Sequence, residues 1–192
     1  MTMKTNLMTA AAVFALSTGA AFAESHMSEA GNAMVGGAEM MPDMTIVENA
    51  SNAENLTTLV AAVQAAGLVE TLSGEGPFTV FAPTNDAFAK LDPAQVETLM
   101  MPENQAALAE ILTCHVVAAD ADAEAIMGMI AADGGTHPVE TVGGCILQAE
   151  VGSDGTVTLT DERGQVATVT QADVYQSNGV VHVIDTVMLP AE

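Results

Sequence analysis

The chain has 192 residues, 25 of them Asp or Glu and three of them Lys or Arg, for a formal net charge of −22. So few cations exclude nucleic acid as a partner, because phosphate contacts need Lys and Arg, and they disfavour anionic lipid surfaces. Half the residues are apolar, enough for a buried core, but five Phe, one Tyr and no Trp make stacking platforms for sugars or bases hard to assemble.

In chain order, Lys4 precedes a short, mostly apolar run from Leu7 to Ala15, and Ala21-Phe22-Ala23 is a small-x-small cleavage site. Charge, then a brief apolar helix, then small residues is the layout of a secretory signal peptide over residues 1–23. The chain is therefore expected to be exported, secreted or periplasmic, after cleavage behind Ala23. No later stretch reaches the roughly 18 apolar residues of a membrane helix. The mature chain keeps Lys90 and Arg163 against 25 carboxylates, 2 − 25 = −23. Such a charge favours solubility and suits a salty medium, and weak bridging by divalent cations is compatible with it.

Residues 24–43 are Glu, Ser, Gly, Ala and Met without periodicity, which reads as a flexible acidic leader. His26, Met27, Met34, Met40 and Met41 are donors suited to Cu(I), but their irregular spacing favours a linker. The folded domain is expected over 44–190. Asn52 or Asn55 is a candidate cap for a helix with a stripe of Leu56, Leu59, Val60 and Val63, stopped by Gly67. Gly74-Glu75-Gly76-Pro77 turns into a strand, Phe78 to Phe81, which Pro83 breaks. Thr84 caps the next helix, with Asp86 in its first turn and Phe88 and Leu91 on one face. Short helices follow from Asp92-Pro93 and from Pro102-Glu103, then a strand at Cys114-His115-Val116-Val117, then a helix from Asp120 to Ala132. Thr136–Val142, Cys145–Val151, Thr156–Thr160 and Gln165–Thr170 are β-rich segments joined by Gly-containing turns. Val180–Val187 is nearly all apolar, as a central strand requires. Helices first and hairpins later predict an α+β domain whose β-core is wrapped by helices.

Two cysteines, Cys114 and Cys145, in an exported chain read as one disulfide. A reactive thiol and a soft metal site with His115 are the rivals. The absence of a C-x-x-C pattern and of a nearby Lys or Arg to stabilise a thiolate favours the disulfide.

Two segments resemble the signature boxes of the fasciclin-like family. The first is Phe78-Thr79-Val80-Phe81-Ala82-Pro83-Thr84-Asn85-Asp86-Ala87-Phe88. The second is Asn178-Gly179-Val180-Val181-His182-Val183-Ile184-Asp185-Thr186-Val187-Met188-Leu189-Pro190. Between them, Leu112-Thr113-Cys114-His115-Val116-Val117 stands where the family usually has Leu-x-Tyr-His-Val-Val. The resemblance runs from about Met44 to Pro190 and implies a fasciclin-like fold, a β-sandwich-like core flanked by helices. It also implies an adhesion module with a cell-surface or extracellular protein or polysaccharide as partner, and, in some members, carriage of an apolar molecule such as a carotenoid or lipid. The Tyr of the central box is replaced by Cys114, so the integrin role tied to a Tyr-His pair is not carried over.

The boxes also make structural sense by themselves: strand, Pro break and capped helix in the first, an Asn-Gly turn feeding a buried strand in the second. His115 and His182 are flanked by apolar residues, and no H-x-H or H-E-x-x-H pattern pairs two histidines. No G-x-S-x-G or S-x-x-K motif is present, and Ser177 near His182 is the only suggestive serine. Asp120-Ala121-Asp122-Ala123-Glu124 lacks the Gly and Glu of a calcium loop and is better explained as an acidic first helical turn. The expectation is a non-catalytic binding module without cofactor or metal site, an apolar carrier being the alternative.

Overall fold

A computed structural model describes residues 32–191. The expected signal peptide and the first part of the leader lie outside the described residues. Within the rest of the leader the flexible reading is corrected. β1 (Met34–Val35) and β2 (Ala38–Glu39) pair as a small hairpin, turned by Gly36 and Gly37 at φ 56° and 81°. Val35 and Met40 are buried in the main apolar cluster, so this segment has core positions that its composition concealed.

A first helix, α1 (Ile46–Asn52), precedes the expected one and is capped by Thr45, while neither Asn52 nor Asn55 caps the Leu56–Val63 helix. The Thr45 hydroxyl accepts from the Glu48 N–H, and the Glu48 carboxylate accepts from the Thr45 N–H at 2.9 Å, a reciprocal capping box. A 3-10 turn at Glu54–Leu56 leads into α2 (Thr57–Ala66), which has no cap from its own preceding residue. Gly67, left-handed at φ 73°, ends that helix as expected. α3 (Val69–Leu72) follows.

Then come β3 (Phe78–Pro83), α4 (Asn85–Ala89), α5 (Pro93–Leu99), α6 (Gln105–Thr113), β4 (Val116–Val117) and α7 (Ala123–Ala132). Cys114 caps α6, so the expected strand starts two residues later than its sequence suggests. Helix α7 starts at Ala123, because the Asp122 side chain accepts the Ala125 N–H and fixes the boundary. β5 (Thr136–Glu140), β6 (Ile146–Val151), β7 (Val157–Thr160), β8 (Val166–Gln176) and β9 (Gly179–Ile184) complete the chain.

The large sheet has the order β4-β3-β9-β8-β7-β6-β5. β9 is internal as predicted, parallel to β3 and antiparallel to β8. β8 runs six residues beyond the expected segment and has register shifts between Val169 and Val174 that bend it. One apolar cluster joins helices α1, α2 and α6 to Val80, Val116, Val181 and Val183. The other brings Phe81 and Ile184 against Leu147, Ala149, Leu159 and Ala167, with Ile126 and Ile130 of α7 alongside. The two halves of the sheet thus share a buried layer, an α+β fold with a sandwich-like core.

Candidate functional site

The signature residues hold the frame together. Phe81 is 1% exposed, and its ring stacks on that of His182 at 5.6 Å between centroids. Pro83 closes β3 and Thr84 turns the chain into α4, its hydroxyl accepting from the Ala87 N–H. Phe88 is buried against the helices, while Asp86 is exposed in the first turn. Asn85 reaches across to the uncapped start of α2. Its Oδ1 accepts from the Thr58 N–H at 2.9 Å, and its Nδ2 donates to the Glu54 carbonyl at 3.0 Å. It is a tertiary N-cap, a role invisible in the local sequence.

Asn178 does the same for the opposite end of the sheet. Its Oδ1 accepts from the Ile46 N–H at 3.1 Å, and its Nδ2 donates to the carbonyls of Leu72 and Gly74 at 2.8 and 3.0 Å. One carboxamide therefore fastens α1, α3 and the following turn. Gly179 must lack a side chain, since a Cβ there would sit 1.9 Å from the Phe78 carbonyl oxygen. Asp185 accepts from the Thr168 N–H at 2.8 Å and pairs with Lys90 Nζ at 3.1 Å. Burial would raise its pKa, but the Thr168 N–H and Lys90 hold it below the usual carboxylate range.

Both box histidines are committed at both ring nitrogens. His115 Nδ1 lies 2.8 Å from the Ile111 carbonyl, and its Nε2 accepts from the Met188 N–H at 2.9 Å. That pattern is the neutral ring with the proton on Nδ1, and burial drives its pKa down to about 4. His182 Nε2 donates to the Ala121 carbonyl at 2.9 Å, and its Nδ1 accepts from the Asp173 N–H. Neither ring has a lone pair left for a metal, nor an acceptor free to activate Ser177, which lies elsewhere, in a groove at the β8–β9 turn. His137 Nδ1 lies 2.6 Å from the Asp133 carboxylate, within hydrogen-bond distance. Cys114 and Cys145 form a disulfide that ties the end of α6 to the start of β6.

Among the described residues, two kinds of concavity stand out. The apolar ones, between α1, α2 and β3 or around Phe88, enclose only about 20–30 Å³ each. A pigment or lipid needs a site of roughly 300 Å³ or more, so this interior lends no support to the carrier reading. The other is an open groove of about 530 Å³ beside the Asn178 clamp. The turn Ser73–Pro77, Asp120 and the β8–β9 turn line it, with Tyr175 at its edge. Tyr175 is 48% exposed. Burial, then Asp173, Asp122, Asp120 and Glu124, raise the pKa of its hydroxyl and keep it protonated. The scarcity of aromatic residues drew attention away from this exposed Tyr. The available signal was the single Tyr near the end of an alternating strand.

Comparisons with known proteins agree with this architecture. The fasciclin domain family model matches residues 54–190. Protein sll1483 of Synechocystis sp. is 50% identical over 147 residues, which span 77% of this chain and 74% of that one. Immunogenic protein MPB70 of Mycobacterium bovis is 37% identical over 151 residues, 73% of this chain and 66% of its own. Among solved structures, a FAS1 domain pair from the insect cell adhesion molecule fasciclin I superposes with a TM-score of 0.54 at 25% identity, covering 66% of this chain and 42% of that one.

Proposed function

Since the chain belongs to the fasciclin domain family, we propose that it is an exported, non-catalytic adhesion module that contacts a cell-surface or extracellular protein or polysaccharide through its exterior. The observation that carries this reading is the use made of the signature side chains. Asn85, His115, Asn178, His182 and Asp185 each bond backbone groups of other elements. Polar groups that satisfy the frame are unavailable to a substrate, and recognition then falls to the surface. The family supplies the adhesive role, and the predicted signal peptide supplies the compartment. The test is attachment of the native host to its surfaces with and without the gene. Reduced attachment on deletion, restored by the wild-type gene, is the expected outcome; attachment indifferent to the gene overturns the reading.

A further inference from the structure

We propose that the groove beside Tyr175 binds a Lys or Arg side chain presented on an extended segment of a partner protein. The inference rests on the adhesive reading and names the chemistry of one contact it would make.

Three features converge there. The cavity, about 530 Å³, is large enough for a short stretch of peptide. Tyr175, about half exposed, lines it, and among the described residues no aromatic ring stacks on it. Glu75 and Asp120, both exposed and drawn from different loops, line the same space. Neither makes a side-chain hydrogen bond or ion pair among the described residues. A cation over an aromatic face with a carboxylate at hand gains from both, whereas a neutral polyol gains nothing from the charge.

The surroundings sharpen the choice. Asp122 and Asp173 accept the N–H groups of Ala125 and Ala123 at the start of α7, so they add negative field at Tyr175 without being displaced by a ligand. Of the two cations in the described chain, Lys90 is held by Asp185 and Thr186, and Arg163 Nε donates to the Pro190 carbonyl. Neither lines the groove. Its floor is stiff, because Asn178 fastens three backbone groups and a Cβ on Gly76 would sit 2.0 Å from the Asn178 carbonyl oxygen. A site that need not be ordered on binding loses less entropy.

The protein reports on this site by itself. It has one Tyr and no Trp, so its Tyr emission comes from the groove alone. The full chain is titrated with a capped Gly-Arg-Gly-Arg-Gly peptide at low salt, and with the same peptide carrying citrulline for arginine. A saturable emission change with the first and none with the second is expected. By calorimetry, Tyr175→Ala should weaken binding about two- to fivefold, and Asp120→Asn with Glu75→Gln by about fivefold or more. Glu97→Gln, on α5 and outside the groove, should leave the affinity unchanged. An equal response to citrulline overturns the proposal, as does equal weakening by Glu97→Gln, which marks diffuse attraction to an acidic surface. So does a response to a neutral chito-oligosaccharide or to Ca²⁺ but not to the peptide. In the host, attachment that needs the gene but survives Tyr175→Ala sinks this contact and leaves the adhesive role. A positive titration with attachment indifferent to the gene does the reverse.

Discussion

His115 is the residue on which pH should act. Folded, its pKa is about 4 because burial penalises the imidazolium; unfolded, it titrates near 6.5. The unfolded chain therefore takes up a proton that the folded chain refuses. The contribution to stability is complete above about pH 6.5 and is lost as pH falls toward 4, by roughly 3 kcal/mol in all. Urea midpoints measured from pH 8 to 4 should fall across this window in the wild type and fall less in His115→Gln. Asn178→Ala tests the clamp. It leaves the Leu72 and Gly74 carbonyls and the Ile46 N–H without their partner, at about 1–3 kcal/mol per unsatisfied group. A loss of about 3 kcal/mol or more by denaturant titration is expected. The sequence identified these residues as signature positions but could not say what they touch, because all their partners except the Ile111 carbonyl lie dozens of residues away.

Elements were legible where their determinants are local. Gly67 ends α2, Thr84 starts α4 and the apolar run at Val180 forms an internal strand, each from chemistry within a few neighbours. The failures share a cause. α2 is capped by Asn85 from another helix, the leader folds because Val35 and Met40 find a distant core, and β8 outruns its pattern because β9 pairs with its far end. The cysteine pair was recoverable from number and compartment alone, and it closes a loop with a sequence separation of 31. By the entropy of that loop, replacing both cysteines with alanine should cost roughly 3–4 kcal/mol. Thermal melts of the oxidised and double-alanine proteins check it. Equal stability would mean that the α6–β6 junction holds without the crosslink.

For the whole molecule, charge and architecture pull in different directions. A formal charge of −22 opposes compaction through self-repulsion, so the midpoint of unfolding should rise from low to moderate NaCl as screening sets in. The fold answers that repulsion with two apolar clusters on a shared seven-stranded sheet and with carboxamide and imidazole bonds that bind helices to strands. A frame of this kind leaves its exterior free to vary, which is how one domain can serve different contacts. The groove at Tyr175 is a place on that exterior where shape and charge coincide. The sequence showed the acidity and the scaffold but not this coincidence, since Glu75, Asp120 and Tyr175 meet only after folding.

The most direct test of the account separates scaffold from contact. A host strain lacking the gene is complemented with wild type or with a His115→Gln, His182→Gln variant, at matched amounts of folded protein, and attachment is measured. Equal restoration by both is the result expected if the histidines serve only the interior. A variant that folds yet fails to restore attachment would contradict it.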